Sequence, residues 1–304
     1  MTFLSHLING ISLGSVYAII ALGYTMVYGI AKMLNFAHGD VIMVGAYICF
    51  FTMSGLSGSF EEGSLAGAVV PALAGVLLAM VVCTVLGMVI ERLAYKPLRQ
   101  AGPLAVLITA IGVSYFLQNA AQLLWGATPK NFTSLVTFQV PEFLAKFNVS
   151  AVSLVTIVAC LVIMAGLMFF TGKTKMGKAM RAVSEDKAAA QLMGINVNRT
   201  ISMTFAIGSA LAAIAGVLLC SYSPVLQPTT GAMPGIKAFD AAVFGGIGSI
   251  PGAFVGGILI GIIEAMAQAY ISTSLANSIV FGVLIIVLLV KPAGLLGKYV
   301  PEKV

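Results

Sequence analysis

The sequence predicts an all-α polytopic membrane protein with about eight transmembrane helices and one short broken or half-length helix. The 304 residues are 60% hydrophobic and only 9% charged, whereas roughly a quarter of the residues in a soluble domain are charged. The mean hydropathy is +1.05, and several charge-free runs reach the ~20 residues that a helix needs to cross a bilayer. This composition excludes a soluble protein, because too few polar residues are present to cover a water-facing surface.

The charge-free runs define the predicted spans in chain order. They lie near residues 7–30, 38–54, 66–90, 104–124, 151–170, 201–221, 251–270 and 277–291. A short apolar segment near 237–248 lies between the sixth and seventh spans. The first run could instead fold as a hairpin, and the sequence leaves this alternative open.

Three basic stretches set the predicted orientation. Residues 91–99, 173–199 and 291–304 carry three, six and three Lys or Arg residues. Basic loops stay in the cytoplasm, which places loops 55–64 and 125–150 outside. The net charge of +6 therefore reflects orientation in a lipid bilayer, and no nucleic-acid partner is expected.

The end of the chain constrains the short segment 237–248. After the span at 201–221 the chain is outside, and the tail reaches the cytoplasm only if the short segment also brings the chain inward. Because the segment is too short to cross alone, we predict a broken or half-length helix with its turn, 245–253, at membrane depth or just inside. The candidate hinge residues are Gly245, Gly246, Gly248, Pro251 and Gly252. The same count places the N-terminus outside and the C-terminus in the cytoplasm.

Polar residues at membrane depth are costly and usually have a function. The stretch NFAHGD (35–40) lies between the first two spans and predicts a bend that lines a translocation path. The candidate residues of this bend are Asn35, Phe36, His38, Gly39 and Asp40. The alternative is an ordinary loop in which Asp40 caps the second span.

Three charged residues in the last third of the chain are further polar residues at or near membrane depth. Lys237 and Asp240 could pair at i, i+3, and Asp240 could instead contact a transported molecule. Glu264 lies in the middle of a span, where it must face protein or water. An interhelical anchor is the favoured interpretation of Glu264, and a path residue is the alternative.

The sequence contains no recognisable catalytic site. A phosphate-binding loop requires G-x-x-x-x-G-K-[ST], and the nearest match, ending at Thr174, has Leu167 where the first glycine is needed. Two histidines in the whole chain exclude most metal sites, and each of the four cysteines lies alone in an apolar run, which favours buried thiols. We therefore expect no enzymatic activity, bound metal or cofactor in this chain.

Residues 173–199, here named the basic segment, separate two charge-free runs. They carry six basic and two acidic residues. An amphipathic helix is predicted over 178–193, with Gly194 as its C-cap signal. We interpret the segment as a cytoplasmic docking surface within one transmembrane domain that spans residues 1–304. The alternative is an ordinary solvated loop.

The basic segment contains AAAQLMG (188–194), which resembles the E-A-A-x-x-x-G loop through which ABC importer permeases dock on their ATPase. Ala188 stands where that motif has Glu. Longer matches follow in family order: GSVYAIIALGYTMVYGI and LNFAHGDVIMVGAY within 14–47, GKAMRAVSEDKAAAQLMGINV at 177–197, and KAFDAAVFGGIGSIPGAFVGGILIGIIEAM at 237–266. Together they are similar to the branched-chain amino acid permease family of ABC importers.

The resemblance implies a permease that forms half of a path for leucine, isoleucine and valine across the bacterial inner membrane. It also implies a second related permease, two cytosolic ATPases that use ATP, and an extracytoplasmic binding protein. Residues 177–197 would couple the permease to the ATPases, and the coupling candidates are Arg181, Glu185, Asp186, Ala188 and Gly194. Glu185 or Asp186 could supply the acid that is missing at Ala188.

Three alternatives follow from the same residues. The first is the same machine with another cargo, such as urea, short amides or other amino acids. The second is a stand-alone secondary transporter, although few acids that could relay protons lie within the spans. The third is a membrane scaffold without transport. Pairing with an identical or a different permease also stays open.

Overall fold

The computed structural model describes residues 2–57, 65–134 and 150–297. Its helices, in chain order, are α1 (Thr2–Ala31), α2 (His38–Ser57), α3 (Leu65–Ile90), α4 (Pro103–Trp125), α5 (Ala151–Lys173), α6 (Lys175–Glu185), α7 (Lys187–Leu192), α8 (Val197–Tyr222), α9 (Ala232–Gly245), α10 (Ile250–Tyr270) and α11 (Ala276–Val290). A π-helical turn, Glu91–Tyr95, continues α3, and two short strands, β1 (Lys130–Asn131) and β2 (Val225–Leu226), pair antiparallel. Most of the predicted outer loops 55–64 and 125–150, and the end of the basic tail, lie outside the described residues.

The prediction of a polytopic helical membrane protein is confirmed. Within the described residues, seven helices are long and apolar enough to cross a membrane: α1 to α5, α8 and α10. The predicted eighth span is α11, an apolar helix of 15 residues, which is shorter than the ~20 residues of a full crossing. The hairpin alternative for the first span is wrong, because α1 is one continuous helix of 30 residues.

Helix α1 forms the centre of the bundle. In the most apolar stretch of α1, 89% of the residues are buried, compared with 22% in that of α4. α10 runs antiparallel to α1 at very short distance, since a Cβ atom added to Gly261 would lie 2.2 Å from the Cα atom of Gly14. Gly257 faces Ala18 in the same way. Small residues let the two backbones approach and gain van der Waals contact in lipid.

Helices α9 and α10 form a tight hairpin, which confirms the predicted broken helix. A Cβ atom added to Gly256 of α10 would lie 2.1 Å from the carbonyl oxygen of Ala241 in α9. α9 begins at Ala232, earlier than the predicted segment at 237. The helix can begin before Pro234, because Pro234 lies in the first helical turn. Backbone N–H groups in that turn have no intrahelical partner, so the missing N–H of proline costs no hydrogen bond.

The described parts of the three basic stretches meet at one end of the bundle, here named the basic end. Lys187 of the basic segment donates from Nζ to the carbonyl of Ala31, the last residue of α1, at 3.0 Å. Arg99 hydrogen-bonds the first turn of α8. In the tail, Leu295 donates its N–H to the carbonyl of Phe244, near the end of α9, at 2.9 Å. The stretches that the charge pattern assigns to one side of the membrane are therefore neighbours in space.

We expect Gly261→Ala to destabilise the protein, because the added methyl group would meet the backbone of α1. Overpacking of this kind costs about 1–3 kcal/mol. Gly166→Ala is the matched control, since Gly166 of α5 has open space around its Cα and alanine improves helix propensity by up to about 1 kcal/mol. Thermal unfolding in detergent should give a lower Tm for the first variant alone. Equal Tm values for both variants would contradict the packing role of Gly261.

Candidate functional site

The chain turns back into the bundle between α1 and α2, over residues 32–37, here named the return loop. Lys32 leaves α1 with φ = 57°, a left-handed conformation that costs a non-glycine residue roughly 1–2 kcal/mol. α2 then begins beside Gly23, because a Cβ atom on Gly23 would lie 2.5 Å from Nε2 of His38. Gly23 lies about 12 Å along the axis of α1 from its end at Ala31. Helix α2 therefore starts inside the bundle.

A second interrupted helix, α9, begins at the same place. A Cβ atom added to Gly231 would lie 1.8 Å from the carbonyl oxygen of Gly39, and one added to Gly235 would lie 2.9 Å from the Cα of Gly39. The two backbones are in direct contact, and we name this contact the glycine junction. Each helix N-terminus carries a partial positive charge, so the junction favours a nearby negative group, as in other proteins with interrupted membrane helices.

Aromatic side chains lie next to the glycine junction. Tyr24 of α1 packs against His38, with ring centroids 4.6 Å apart. Phe239 of α9 lies 5.9 Å from Tyr24 and 5.4 Å from Phe36 of the return loop. The structure therefore brings the predicted residues Phe36, His38 and Gly39 together with α9, through contacts that link three separate parts of the sequence.

Each interrupted helix carries a buried carboxylate. Asp40 accepts a hydrogen bond from Nε2 of Gln118 in α4 at 2.9 Å. The capping alternative for Asp40 is wrong, because α2 begins at His38 and Asp40 already lies within its first turn. Asp240 is only 6% exposed, and its Oδ2 atom has no hydrogen-bond partner among the described residues. Burial of a carboxylate oxygen without a partner is costly, so Asp240 stays a candidate for contact with a transported molecule.

The predicted pair of Lys237 with Asp240 is not formed. Lys237 instead donates to Glu264 of α10, with 2.7 Å between Nζ and Oε1. Glu264 also accepts hydrogen bonds from Tyr17 at 2.9 Å and from Gln268 at 3.0 Å. The hairpin packing directs Lys237 toward α10, so a distant partner replaces the i, i+3 neighbour. Glu264 joins α1, α9 and α10, as the anchor interpretation expects.

Asn35 belongs to a polar network near the basic end. Its Oδ1 atom accepts a hydrogen bond from the hydroxyl of Tyr95 at 2.9 Å, and both residues are buried. Tyr95 ends the π-helical turn that begins at Glu91. Glu91 accepts a hydrogen bond from Ser202 of α8 at 2.7 Å and forms an ion pair with Arg99. π-helical turns within helices occur frequently at functional sites.

Several partners of the predicted residues were not themselves predicted. They are Tyr17, Tyr24, Tyr95, Gln118, Gly231 and Gly235, and Glu91 lies in the same π-helical turn as Tyr95. Two signals in the sequence could have marked some of them. Glu91 is an acid at the end of an apolar run, and the two glycines have the spacing of a close helix contact. The tyrosines and Gln118 carry no comparable signal.

The turn between α9 and α10 contains the predicted hinge residues. Gly246 and Gly248 have φ angles of 108° and 93°, which glycine adopts without the penalty of a side chain. Gly245 and Gly252 face each other across the turn, since a Cβ atom on Gly245 would lie 1.8 Å from the carbonyl oxygen of Gly252. Pro251 lies in the first turn of α10, where its missing N–H leaves no bond unmade. Their role as a hinge stays a prediction.

The basic segment forms two helices and not the single helix predicted over 178–193. α6 ends at Glu185, and Asp186 is extended, with φ = −152°. The Oδ1 atom of Asp186 accepts the N–H groups of Ala188 and Ala189 at 2.8 and 3.0 Å. This capping of α7 is the reason for the break, because the side chain satisfies the free N–H groups of a new helix start.

The C-cap predicted at Gly194 is confirmed. Its φ angle is 81°, and its N–H and that of Ile195 bond carbonyl groups of the last turn of α7, the pattern of a Schellman motif. Leu192 and Met193, directly before it, are 88% and 83% exposed. The other coupling candidates, Arg181, Glu185, Asp186 and Ala188, are exposed as well. The segment therefore presents an apolar tip among charged side chains.

The described residues offer little for a metal ion. Among them, no three His, Cys, Asp or Glu side chains come close enough to share one. All four cysteines are free thiols in buried positions, as their apolar neighbours in the sequence predict.

Comparison with known proteins adds an independent finding. A family model described as "Branched-chain amino acid transport system / permease component" matches residues 6–289. The chain is 45% identical to the high-affinity branched-chain amino acid transport system permease protein LivH of Escherichia coli strain K12, over 99% of this chain and 98% of that protein. It is 43% identical, with the same coverage, to the corresponding permease protein BraD of Pseudomonas aeruginosa. A shorter match, 36% identical over 31% of this chain and 25% of the relative, is to the xylose transport system permease protein XylH of Escherichia coli. No solved structure gives a significant match.

We expect Glu264→Gln to lower the free energy of unfolding by about 3–5 kcal/mol, because it leaves the buried Lys237 without its counter-ion. The double variant Lys237→Met/Glu264→Leu replaces both charges with apolar side chains and should recover most of the loss. Unfolding by SDS in mixed micelles measures both variants against the parent protein. If the double variant is as unstable as the single one, the ion pair is not the source of the loss.

Proposed function

Because this chain belongs to the family of permease components of branched-chain amino acid transport systems, we propose that it is a permease subunit of an ABC importer for leucine, isoleucine and valine. The observation that carries the proposal is the family match over residues 6–289, together with full-length relatives of the same description. Members of this family are transporter components and not enzymes. ATP is then hydrolysed by two cytosolic ATPase subunits, and this chain itself binds no cofactor.

The remaining partners follow from the same assignment. A second, related permease completes the translocation path, and an extracytoplasmic binding protein delivers the amino acid. The basic end faces the cytoplasm of a bacterial inner membrane, since three basic stretches meet there and basic loops stay inside. The N-terminus of α1 is then extracytoplasmic, and the chain ends in the cytoplasm.

The basic segment is the coupling segment of this proposal. Its apolar tip, Leu192 and Met193, is almost fully exposed, which is typical of a surface that a partner protein covers. Two helix caps, at Asp186 and Gly194, fix the orientation of α7 beneath this tip. Exposed Glu185 provides an acid near Ala188, the position at which related permeases carry Glu.

The glycine junction is the part of the translocation path that this chain supplies. Two helix N-termini meet there beside aromatic rings, an environment that suits a zwitterion with an apolar side chain. The carboxylate of the amino acid would interact with the helix N-termini. Movement of the ATPases would shift the coupling segment, the return loop and the α9–α10 hairpin, and would thereby open the path alternately to each side.

Uptake by the complete transporter tests this function. Proteoliposomes that contain both permeases and the ATPases, with ATP on the cytoplasmic side and binding protein outside, should accumulate radiolabelled leucine. Unlabelled valine and isoleucine should compete, and urea should not. Uptake that needs a proton gradient in place of ATP would favour a secondary transporter. Failure of valine to compete would exclude the proposed cargo.

We expect Gly194→Val to lower uptake roughly tenfold, which corresponds to about 1.4 kcal/mol. The left-handed backbone of Gly194, with φ = 81°, disfavours a β-branched residue, and α7 would lose its fixed end. Gly112→Val is the control, because Gly112 of α4 has open space around it. Leucine uptake is compared at equal amounts of permease in the membrane. Equal uptake by both variants would remove the coupling role of this cap.

A further inference from the structure

A direct hydrogen bond joins Lys187 to the end of α1. The Nζ atom of Lys187 donates to the carbonyl oxygen of Ala31 at 3.0 Å. The next residue, Lys32, is the left-handed residue that starts the return loop. The bond therefore connects the coupling segment to the point at which the chain turns back into the membrane.

Lys187 is an exposed residue whose ammonium group lies near other basic side chains. Partial burial lowers the pKa of Lys187, and the charges of Arg99 and Lys32 lower the pKa further. The carbonyl groups at the end of α1 offset part of this repulsion, since a helix C-terminus carries a partial negative charge. Ala31 supplies this contact.

The position of Lys187 is fixed by its own helix. It is the first residue of α7 and directly follows Asp186, whose carboxylate caps that helix. α7 ends in the Schellman motif at Gly194, next to the exposed apolar tip. A displacement of the tip by a docked partner therefore moves Lys187 together with α7.

The opposite side of the return loop is held by a buried bond. Asn35 of the loop accepts the hydroxyl of Tyr95 at 2.9 Å. Tyr95 lies in the π-helical turn, which Glu91 and Arg99 connect to the first turns of α8. Because α8 begins within the basic segment, both attachments of the loop lead to that segment.

We propose that Lys187 is a positioning residue that transmits movement of the coupling segment to the return loop and so to the glycine junction. The inference rests on the proposed ABC function, because the ATPases supply the movement. The path runs from Lys187 through Ala31 and residues 32–37 to Gly39, which contacts Gly231. Loss of the bond should leave binding of the ATPases intact and separate ATP hydrolysis from transport.

The test measures leucine transported per ATP hydrolysed by the complete transporter in proteoliposomes. Lys187→Met keeps the length of the side chain and removes the donor, and we expect this ratio to fall about tenfold, the scale of one charge-assisted hydrogen bond. Lys187→Arg keeps a cationic donor and should restore most of the ratio. Tyr95→Phe removes the bond on the other side of the loop and should lower the ratio as well.

Lys291→Met is the matched control. Lys291 also donates from Nζ to a backbone carbonyl, that of Leu295, at 2.7 Å, but it lies outside the coupling segment. The control should keep the ratio of the parent protein. If Lys187→Met also keeps this ratio while the parent complex transports leucine, the positioning role is wrong. If the parent complex shows no ATP-dependent leucine uptake, the proposed function itself is wrong.

A second substitution at Lys187 tests the proposal if the first variant does not assemble into the transporter. Where Lys187→Met fails to join the complex, Lys187→Gln takes its place, because its neutral and shorter side chain removes the charged donor, and it should lower the same ratio. Co-purification of the ATPases and the Tm in detergent establish assembly for each variant. A purely structural role would lower the Tm and the amount of complex, and would leave the ratio of transport to hydrolysis unchanged.

Discussion

Direct contact between the backbones at Gly39 and Gly231 is the constraint on which the membrane core depends. Two helices, α2 and α9, start at this contact, inside the bundle. Each start leaves irregular backbone at membrane depth, where every polar group needs a partner within the protein. The return loop meets this need locally, since His38 and Asp40 donate their N–H groups to carbonyls of the loop.

The buried polar side chains divide into two groups around this contact. Lys237 and Glu264 neutralise each other and tie the hairpin to α1 through Tyr17, so they serve cohesion of the bundle. Asp240 lies only one helical turn from Lys237 and yet has a carboxylate oxygen without a partner among the described residues. Acidic residues at membrane depth usually have a partner or a function. Glu264 has its partner in Lys237 and is a structural acid, whereas Asp240 is the candidate for substrate contact.

The basic end links the exposed surface of the basic segment to this core. The basic segment touches the end of α1 through Lys187, and the π-helical turn touches the return loop through Tyr95. One bond is close to the protein surface and the other is buried. The return loop is therefore attached at both of these points.

The sequence by itself determined the features that depend on local composition and on the number of membrane crossings. The apolar runs defined the spans, the number of crossings required the half-length helix near 237–248, and the glycine at 194 marked the end of α7. Only the tertiary structure decided the start of α2 beside Gly23 and the partner of Lys237. A span is set by the transfer of neighbouring residues into lipid, whereas a hydrogen bond or close backbone contact depends on groups that are distant in the chain and meet only after packing.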